Sequence, residues 1–225
     1  MPKQRLYFDL DGTLLDTQPG IAESIRHTLN HFGFPPVSLT SIKRCFGPPM
    51  RVSLAQLMQS SDTEQIEAAL IEFRRHYFGT AISSDGVDNQ GGISRYRIYP
   101  GIEDLLRQLL EQDVELAVLT AKPQPQAEWL LQHSGLDQYF PQLHGSHDKG
   151  ARSNKSSHLG LLLAHSTLPA ERCWMIGDRA DDINAARNNG VTAIAAHWGY
   201  GDEEELQQAG FDHRIDTPQQ LLNIL

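Results

Sequence analysis

The chain has 225 residues, of which 40% are hydrophobic, and it carries a formal net charge of -9. A chain of this length can form one large domain, or a large and a small one, around a sizeable core. Its acidic balance argues against nucleic acids and anionic membranes as partners, although a local metal ion or lysine can still attract a small anionic substrate.

No signal peptide is predicted, because no long apolar run follows the first residues. No stretch approaches the roughly 18 apolar residues of a membrane span. The two cysteines, Cys45 and Cys173, lie far apart without metal-ligand spacing, a pattern typical of free buried thiols in a reducing compartment. We therefore expect a cytoplasmic protein, monomeric or homodimeric, without nucleic-acid or membrane partners.

The first predicted element is a buried strand at the apolar run 6–8, which ends in Asp9, Leu10, Asp11 and Gly12. Residues two apart in an extended segment point to the same face, so both carboxylates would leave the strand together. Ligands of open parallel sheets bind at this edge. Paired carboxylates are typical of a hard-metal site or of a nucleophile beside an acid–base group, although a solvated turn contains the same residue types.

Residues 17–79 predict helices only, with apolar residues in two stripes of helical spacing. The stripes are Ile21, Ile25 and Leu29, then Ile66, Leu70, Phe73 and Tyr77. Ser61 and Glu64 predict a capping box before the second stripe. The turn-rich segment 82–95 predicts a flexible linker. Its permissive points would be Gly86, Gly91 and Gly92. We expect 17–95 to be a helical insertion that closes as a lid over the first strand's end.

Beyond residue 95, strands and helices alternate, which predicts parallel βαβ units with helices on both faces of the sheet. The predicted strands include Leu116–Thr120, Cys173–Gly177 and Val191–Ala196. Polar groups follow them at Thr120 and Ala121, at Lys155, and at 178–182.

Each of these polar groups has a structural explanation when taken singly. Thr120 could cap a helix, Lys155 could be a surface charge, and Asp182 could favour a helix start. His144 and His147 lack a third ligand nearby and are interpreted as a surface loop rather than a zinc site. Together, however, the polar groups would converge, because parallel strands bring their carboxyl ends to one edge.

These motifs, in this order, resemble the four motifs of the haloacid dehalogenase superfamily of phosphohydrolases. The matching residues are Asp9 to Thr13, Thr120, Lys155, and Gly177-Asp178 with Asp182. Gly20, the turn 46–48 and the run 152–155 are similar to the phosphoglycolate phosphatase branch, which also contains nucleotidase-like members. The resemblance implies a Rossmann-like α/β core at 1–16 and 96–225, with a helical C1-type cap at 17–95.

The resemblance also implies a phosphatase that hydrolyses small phosphomonoesters through an aspartyl-phosphate. Asp9 would be the nucleophile, and Asp11 would protonate the leaving group and later deprotonate water. Thr120 and the N–H of Ala121 would bind the phosphate oxygens at a helix N-terminus, and Lys155 would add a positive charge for the phosphate.

A Mg²⁺ ion is the cofactor that the resemblance implies. Asp9, Asp178 and the backbone carbonyl of Asp11 would hold it, because Mg²⁺ takes oxygen ligands. Asp182 and Thr13 would orient those ligands. In the insertion, Lys43 and Arg44 are candidate substrate contacts, although a solvated helix face explains them equally well.

Several other activities remain open or are disfavoured by particular positions. A 5′-nucleotidase-like phosphatase is the main alternative. A mutase of the β-phosphoglucomutase kind normally carries a histidine early in its cap, where this chain has 20–22 Gly-Ile-Ala. Dehalogenases resemble the core but lack an acid at the position of Asp11. A non-catalytic phosphate-binding protein is the remaining alternative, and loss of a motif carboxylate would indicate it.

Overall fold

The computed structural model describes residues 4–46, 49–79, 91–147 and 154–225. The chain divides into two compact units, which are residues 1–16 with 98–225 (the core unit) and residues 17–97 (the helical unit). Within the described residues, no helix is long and apolar enough to cross a membrane. Cys45 and Cys173 are free and buried, as expected.

Helices alone follow one another in 17–79, and strands and helices alternate beyond residue 95, as the sequence predicts. The strands are β1 (Gln4–Phe8), β2 (Leu15–Asp16), β3 (Arg97–Ile98), β4 (Val114–Pro123), β5 (Gln142–Ser146), β6 (Cys173–Gly177), β7 (Thr192–Ala196) and β8 (His213–Ile215). The helices are α1 (Gln18–His31), α2 (Leu39–Lys43), α3 (Met50–Met58), α4 (Thr63–Phe78), α5 (Ile102–Leu110), α6 (Gln124–His133), α7 (Lys155–Ala164), α8 (Ala180–Asn188) and α9 (Glu203–Ala209). A 3-10 helix at Pro218–Asn223 follows β8.

The core unit is built on a six-stranded parallel sheet in the order β5-β4-β1-β6-β7-β8. In the middle of this sheet, Tyr7 is paired with Ala117 on one side and Met175 on the other. Leu6, Tyr7 and Phe8 are at most 1% exposed, because both faces of a central parallel strand are covered. The α/β core predicted from the sequence is thereby confirmed.

One strand of this sheet, β5, was not predicted. Its sequence, Gln-Leu-His-Gly-Ser, has neither an apolar run nor clean alternation. Among the described strands it lies at the edge and pairs with β4 alone, with Leu143 opposite Val118. The interpretation of His144 as part of a surface loop is therefore wrong, because tertiary pairing rather than local propensity forms this strand.

The helical unit buries the two apolar stripes that the sequence predicts, on α1 and α4. However, α4 does not begin with a capping box at Ser61. Its N-cap is Asp62, whose carboxylate accepts the N–H groups of Glu64 and Gln65 at 3.0 and 3.4 Å. The neighbouring carboxylate satisfies two free donors at the start of the helix, so Ser61 is not needed as a cap.

The expected linker at 82–95 is described only from residue 91 onward, and Gly86 lies outside the described residues. Gly91 and Gly92 are buried, and 92–94 form a 3-10 turn. A Cβ atom on Gly91 would lie 2.6 Å from the carbonyl oxygen of Tyr77, and one on Gly92 would collide with Ser24 Oγ. These two glycines are therefore packed positions without room for a side chain, and their role as hinge points stays a prediction. The lid motion itself stays a prediction.

Candidate active site

The site begins at the carboxyl end of β1, which lies between β4 and β6, where the strand order reverses. Asp9 follows this strand, and its N–H donates to the carbonyl of Ile176 at 2.9 Å. The chain then turns at Gly12, whose φ of 88° lies in the left-handed region. A Cβ atom there would collide with the carboxylate of Asp178. Glycine thus lets the first loop approach the carboxylate that follows β6.

Three buried carboxylates meet at this edge of the sheet, namely Asp9, Asp178 and Asp182, with one oxygen from each within 4.8 Å of the others. The two oxygens of Asp178 accept hydrogen bonds from Thr13 Oγ at 3.0 Å and from the Tyr200 N–H at 2.8 Å. These two donors fix the plane of the carboxylate in the core unit. Asp178 is therefore held in one orientation before any ligand binds.

Lys155 lies inside this acidic cluster as the first residue of α7. Its ammonium is 2.5 Å from Asp182 Oδ1 and 3.2 Å from Asp9 Oδ2. Burial alone would lower the pKa of Lys155, but the charges of Asp182 and Asp9 outweigh it and raise the pKa. Asp182 Oδ2 also accepts the N–H of Arg179 at 3.1 Å. Both oxygens of Asp182 thus have protein partners, which suits its predicted role of orienting other groups.

The cluster holds more negative charge than Lys155 can balance. Burial, with the charges of Asp182 and Asp9, raises the pKa of Asp178 to about 8. Burial also raises the pKa of Asp9 to about 6, although Lys155 opposes the shift. Asp9 Oδ1 is buried and has no hydrogen-bond partner among the described residues. An oxygen-only donor set with excess negative charge fits a hard divalent cation such as Mg²⁺.

A second ion pair lies beside this cluster and was missed from the sequence. Lys122, on β4, places its ammonium 2.8 Å from Asp11 Oδ2. Its side chain is 6% exposed, and that of Asp11 is 22% exposed. The available signal was the spacing, because Lys122 follows Thr120 by two residues on one strand and shares its face.

The predicted position of Thr120 at a helix N-terminus is corrected by the structure. Strand β4 continues to Pro123, which is the N-cap of α6. Thr120 is buried, and its Oγ1 accepts the N–H of Lys122 at 3.2 Å, whereas Ala121 is exposed. The register of β4 against β5 shifts between Leu119 and Pro123, as at a bulge, which re-aims side chains near a site. The N–H groups here therefore belong to an irregular strand end.

The remaining predicted site residues lie in the helical unit. Lys43 is the last residue of α2, and Arg44 is its C-cap. Both side chains are exposed. Their role as substrate contacts stays a prediction. Gly47, Pro48, Arg152 and Ser153, which contribute to the resemblance, lie outside the described residues.

Comparison with known proteins gives relatives over most of the chain. It is 33% identical to a 5′-nucleotidase of Pseudomonas aeruginosa over 90% of this chain and 86% of that protein. It is 28% identical to a phosphoglycolate phosphatase of Aliivibrio fischeri over 97% of this chain and 94% of that protein. Identity to the tyrosine-protein kinase PtkA of Mycobacterium tuberculosis is 34% over 88% of this chain, which spans only 63% of that relative's length.

Solved structures give the same answer for the fold. A haloacid dehalogenase-like hydrolase of Streptococcus pneumoniae superposes with a TM-score of 0.86 at 26% identity, covering 99% of this chain and 98% of that one. The family described as haloacid dehalogenase-like hydrolase matches residues 6–196. This match contains every motif residue from Asp9 to Asp182 and confirms the resemblance seen in the sequence. The chain therefore belongs to the haloacid dehalogenase-like hydrolases.

Proposed function

We propose that this protein is a Mg²⁺-dependent phosphatase that hydrolyses small phosphomonoesters through an aspartyl-phosphate on Asp9. The observation that carries the proposal is the environment of that residue. Its Oδ2 contacts Lys155, and its buried Oδ1 has no partner among the described residues. A carboxylate oxygen that is held in place but left unsatisfied is suited to attack an electrophile.

In the first step, Asp9 Oδ1 attacks phosphorus while the bond between phosphorus and the ester oxygen breaks. Asp11 gives its proton to the leaving oxygen, so the product is a neutral alcohol. Lys155, which already lies beside Asp9, balances negative charge on the phosphoryl oxygens. The hydroxyl of Thr120 can donate to the same oxygens while it accepts the N–H of Lys122. The N–H of Ala121, an exposed residue, is a further candidate donor.

In the second step, water attacks the phosphorus of the aspartyl-phosphate and Asp11 takes one of its protons. The bond between phosphorus and Asp9 breaks, which releases inorganic phosphate and restores the carboxylate. Asp11 thus acts first as an acid and then as a base, and the two steps sum to ester hydrolysis. A group with both roles must lie within hydrogen-bond reach of both the leaving oxygen and the water.

Asp9, Asp178 and the backbone carbonyl of Asp11 would hold the Mg²⁺ ion, with Thr13 and Asp182 orienting the carboxylates around it. A bound divalent cation neutralises charge on phosphoryl oxygens and polarises the phosphorus toward attack. The buried cluster supports this assignment, because its three carboxylates face one ammonium.

The substrate we favour is a small phosphorylated acid such as 2-phosphoglycolate, in line with the phosphoglycolate phosphatase relative. Lys43 and Arg44 are the candidate contacts for its carboxylate. A nucleoside monophosphate is the second candidate, because identity to the 5′-nucleotidase relative is higher. Comparing kcat/KM for both esters would decide between them.

The proposed chemistry is tested with a generic aryl phosphate, in Mg²⁺ and in excess chelator. We expect turnover with Mg²⁺ only. Asp9→Asn should abolish turnover of the aryl phosphate. On alkyl phosphates, Asp11→Asn should lower turnover by about 10²–10⁴-fold. Undiminished turnover in chelator would reject the metal, and a nearly active Asp9→Asn variant would reject the nucleophile. An inactive wild-type protein across both substrate classes would reject the phosphatase itself.

A further inference from the structure

We propose that Lys122 is a positioning residue that holds the carboxyl group of Asp11 where acid–base catalysis requires it. This inference rests on the proposed phosphatase function and adds a residue to it. The carrying observation is the contact of 2.8 Å between Lys122 Nζ and Asp11 Oδ2. A hydrogen bond between an ammonium and a carboxylate is shorter and stronger than a neutral one, and it therefore restrains the carboxyl group well.

Burial makes this contact more than a surface ion pair. The Lys122 side chain is only 6% exposed. A buried ammonium is costly unless a carboxylate or several acceptors compensate it. An exposed ion pair such as Arg107 with Asp104, where both side chains are 64% exposed, is worth little by comparison. Burial of the Lys122 ammonium therefore favours the ion pair with Asp11 over the separated side chains.

The backbone on both sides of the pair is fixed independently. On the loop after β1, Asp11 forms a bridge with Leu15, and the N–H of Gly12 donates to the carbonyl of Leu15 at 2.8 Å. On β4, the N–H of Lys122 donates to Thr120 Oγ1 at 3.2 Å. These contacts fix the backbone around Asp11 and around Lys122, and the ammonium of Lys122 holds the carboxylate of Asp11. They also link the candidate phosphate-binding hydroxyl to the acid–base group.

A positioning role predicts a loss that depends on the leaving group. Expulsion of a basic alkoxide needs the proton of Asp11, whereas expulsion of a nitrophenolate does not. The parameter kcat/KM reports the steps up to release of the alcohol. Lys122→Met should therefore lower kcat/KM for an alkyl phosphate by at least about tenfold, since misplaced catalytic groups lose up to about 10²-fold. For p-nitrophenyl phosphate, the same variant should stay within about threefold of the wild type, because expelling a weakly basic leaving group gains little from acid catalysis.

The experiment uses the full chain with Mg²⁺ and compares Lys122→Met and Lys122→Gln with Arg107→Met. The Gln variant can still donate a neutral hydrogen bond to Oδ2 and should lose less on the alkyl ester than the Met variant. It also preserves the test if Lys122→Met does not fold. Arg107→Met removes an exposed cation of the same unit and should change neither ester.

A double-variant comparison tests whether Lys122 acts through Asp11. Adding Lys122→Met to Asp11→Asn should cause no further loss on the alkyl ester, because groups that act as a unit are not additive. Equal losses of kcat/KM on both esters, or a full additional loss in the Asp11→Asn background, would overturn the positioning role while leaving the phosphatase intact. An inactive wild-type protein would instead overturn the proposed function, and this inference with it.

Discussion

The ammonium of Lys155 lies 2.5 Å from Asp182 Oδ1 in the interior of the core unit, where the two residues are 6% and 0% exposed. This pair joins the start of α7 to the first turn of α8. The same ammonium lies 3.2 Å from Asp9. Lys155 is therefore a structural link between two helices as well as a charge beside the candidate nucleophile.

Removing that ammonium should destabilise the fold. We expect Lys155→Met to lower the free energy of unfolding by about 3–5 kcal/mol, because it leaves buried carboxylates without a cation. Adding Asp182→Asn should recover part of this loss, since one of the stranded charges is then removed. Urea unfolding without Mg²⁺ measures both effects, with Arg107→Met as an exposed control within about 0.5 kcal/mol of the wild type. A Lys155→Met protein as stable as that control would contradict the prediction.

Without a metal ion, the cluster of Asp9, Asp178 and Asp182 should destabilise the fold, and Asp178→Asn should remove part of this destabilisation. Burial raises the pKa of Asp178 from 3.8 to about 8, so folding favours its protonated form. Stability of the metal-free wild type should accordingly fall as pH rises from about 4 to about 8. The side-chain amide of an asparagine at position 178 can accept a hydrogen bond from the Tyr200 N–H and donate one to Thr13 Oγ.

Thermal unfolding in chelator should therefore show a higher Tm for Asp178→Asn than for the wild type at pH 8. Each kcal/mol of stabilisation shifts Tm by about 2–4 °C in a protein of this size. Added Mg²⁺ should raise the Tm of the wild type and leave that of the variant unchanged. An equal response of both proteins to Mg²⁺ would remove Asp178 from the metal site.

The helical unit contains its own charge-dependent contact, at Glu72 on α4. This carboxylate accepts two hydrogen bonds from Arg75, both 2.9 Å long, and lies 2.8 Å from His27 Nε2. The hydrogen bonds from Arg75, followed by the one with His27, hold the pKa of Glu72 down, at about 2. A carboxylate with a lowered pKa stabilises the fold above its unfolded pKa, and this stabilisation is lost as pH falls from about 4.5 to about 2.

Glu72→Gln should therefore lower thermal stability at pH 7, and its difference from the wild type should shrink below about pH 4.5. Glu64→Gln, at the exposed first turn of the same helix, is the matched control and should change stability by less than about 0.5 kcal/mol. A difference between wild type and Glu72→Gln that stayed constant down to pH 2 would show that packing, not charge, determines the effect.

Close packing at Gly92 predicts a steric cost there. A Cβ atom would collide with Ser24 Oγ and lie 2.7 Å from the carbonyl oxygen of Gly20, which cannot move aside easily. Gly92→Ala should destabilise the helical unit by about 1–3 kcal/mol or more, as overpacking does. Gly33, with φ of 74° and open space around it, is the comparison. Gly33→Ala should cost about 1–2 kcal/mol from its backbone alone. Thermal unfolding that ranks Gly92→Ala as the milder change would refute the packing argument.

The sequence by itself determined the parallel core and the meeting of Asp9 with Asp178. The apolar run 6–8, which ends in turn residues, favours a strand covered on both faces, and parallel strands bring their carboxyl ends to one edge. The apolar faces of α1 and α4 were also predictable, because apolar residues spaced three and four apart lie on one face of an α-helix. These features depend on local periodicity and on the order of the elements, and both are properties of the sequence itself.

Tertiary structure alone decided the rest. Lys122 and Asp11 are 111 residues apart in sequence, and their pairing depends on the register of β4 against β1 and on the irregular end of β4. β5 exists because an edge position offers hydrogen bonds to a segment without strand propensity of its own. Gly91 and Gly92 have the composition of a flexible linker, yet the atoms around them come from α1 and α4. The sequence does not show which residues become neighbours in the fold. These neighbours decide whether a glycine is needed for backbone flexibility or for close packing.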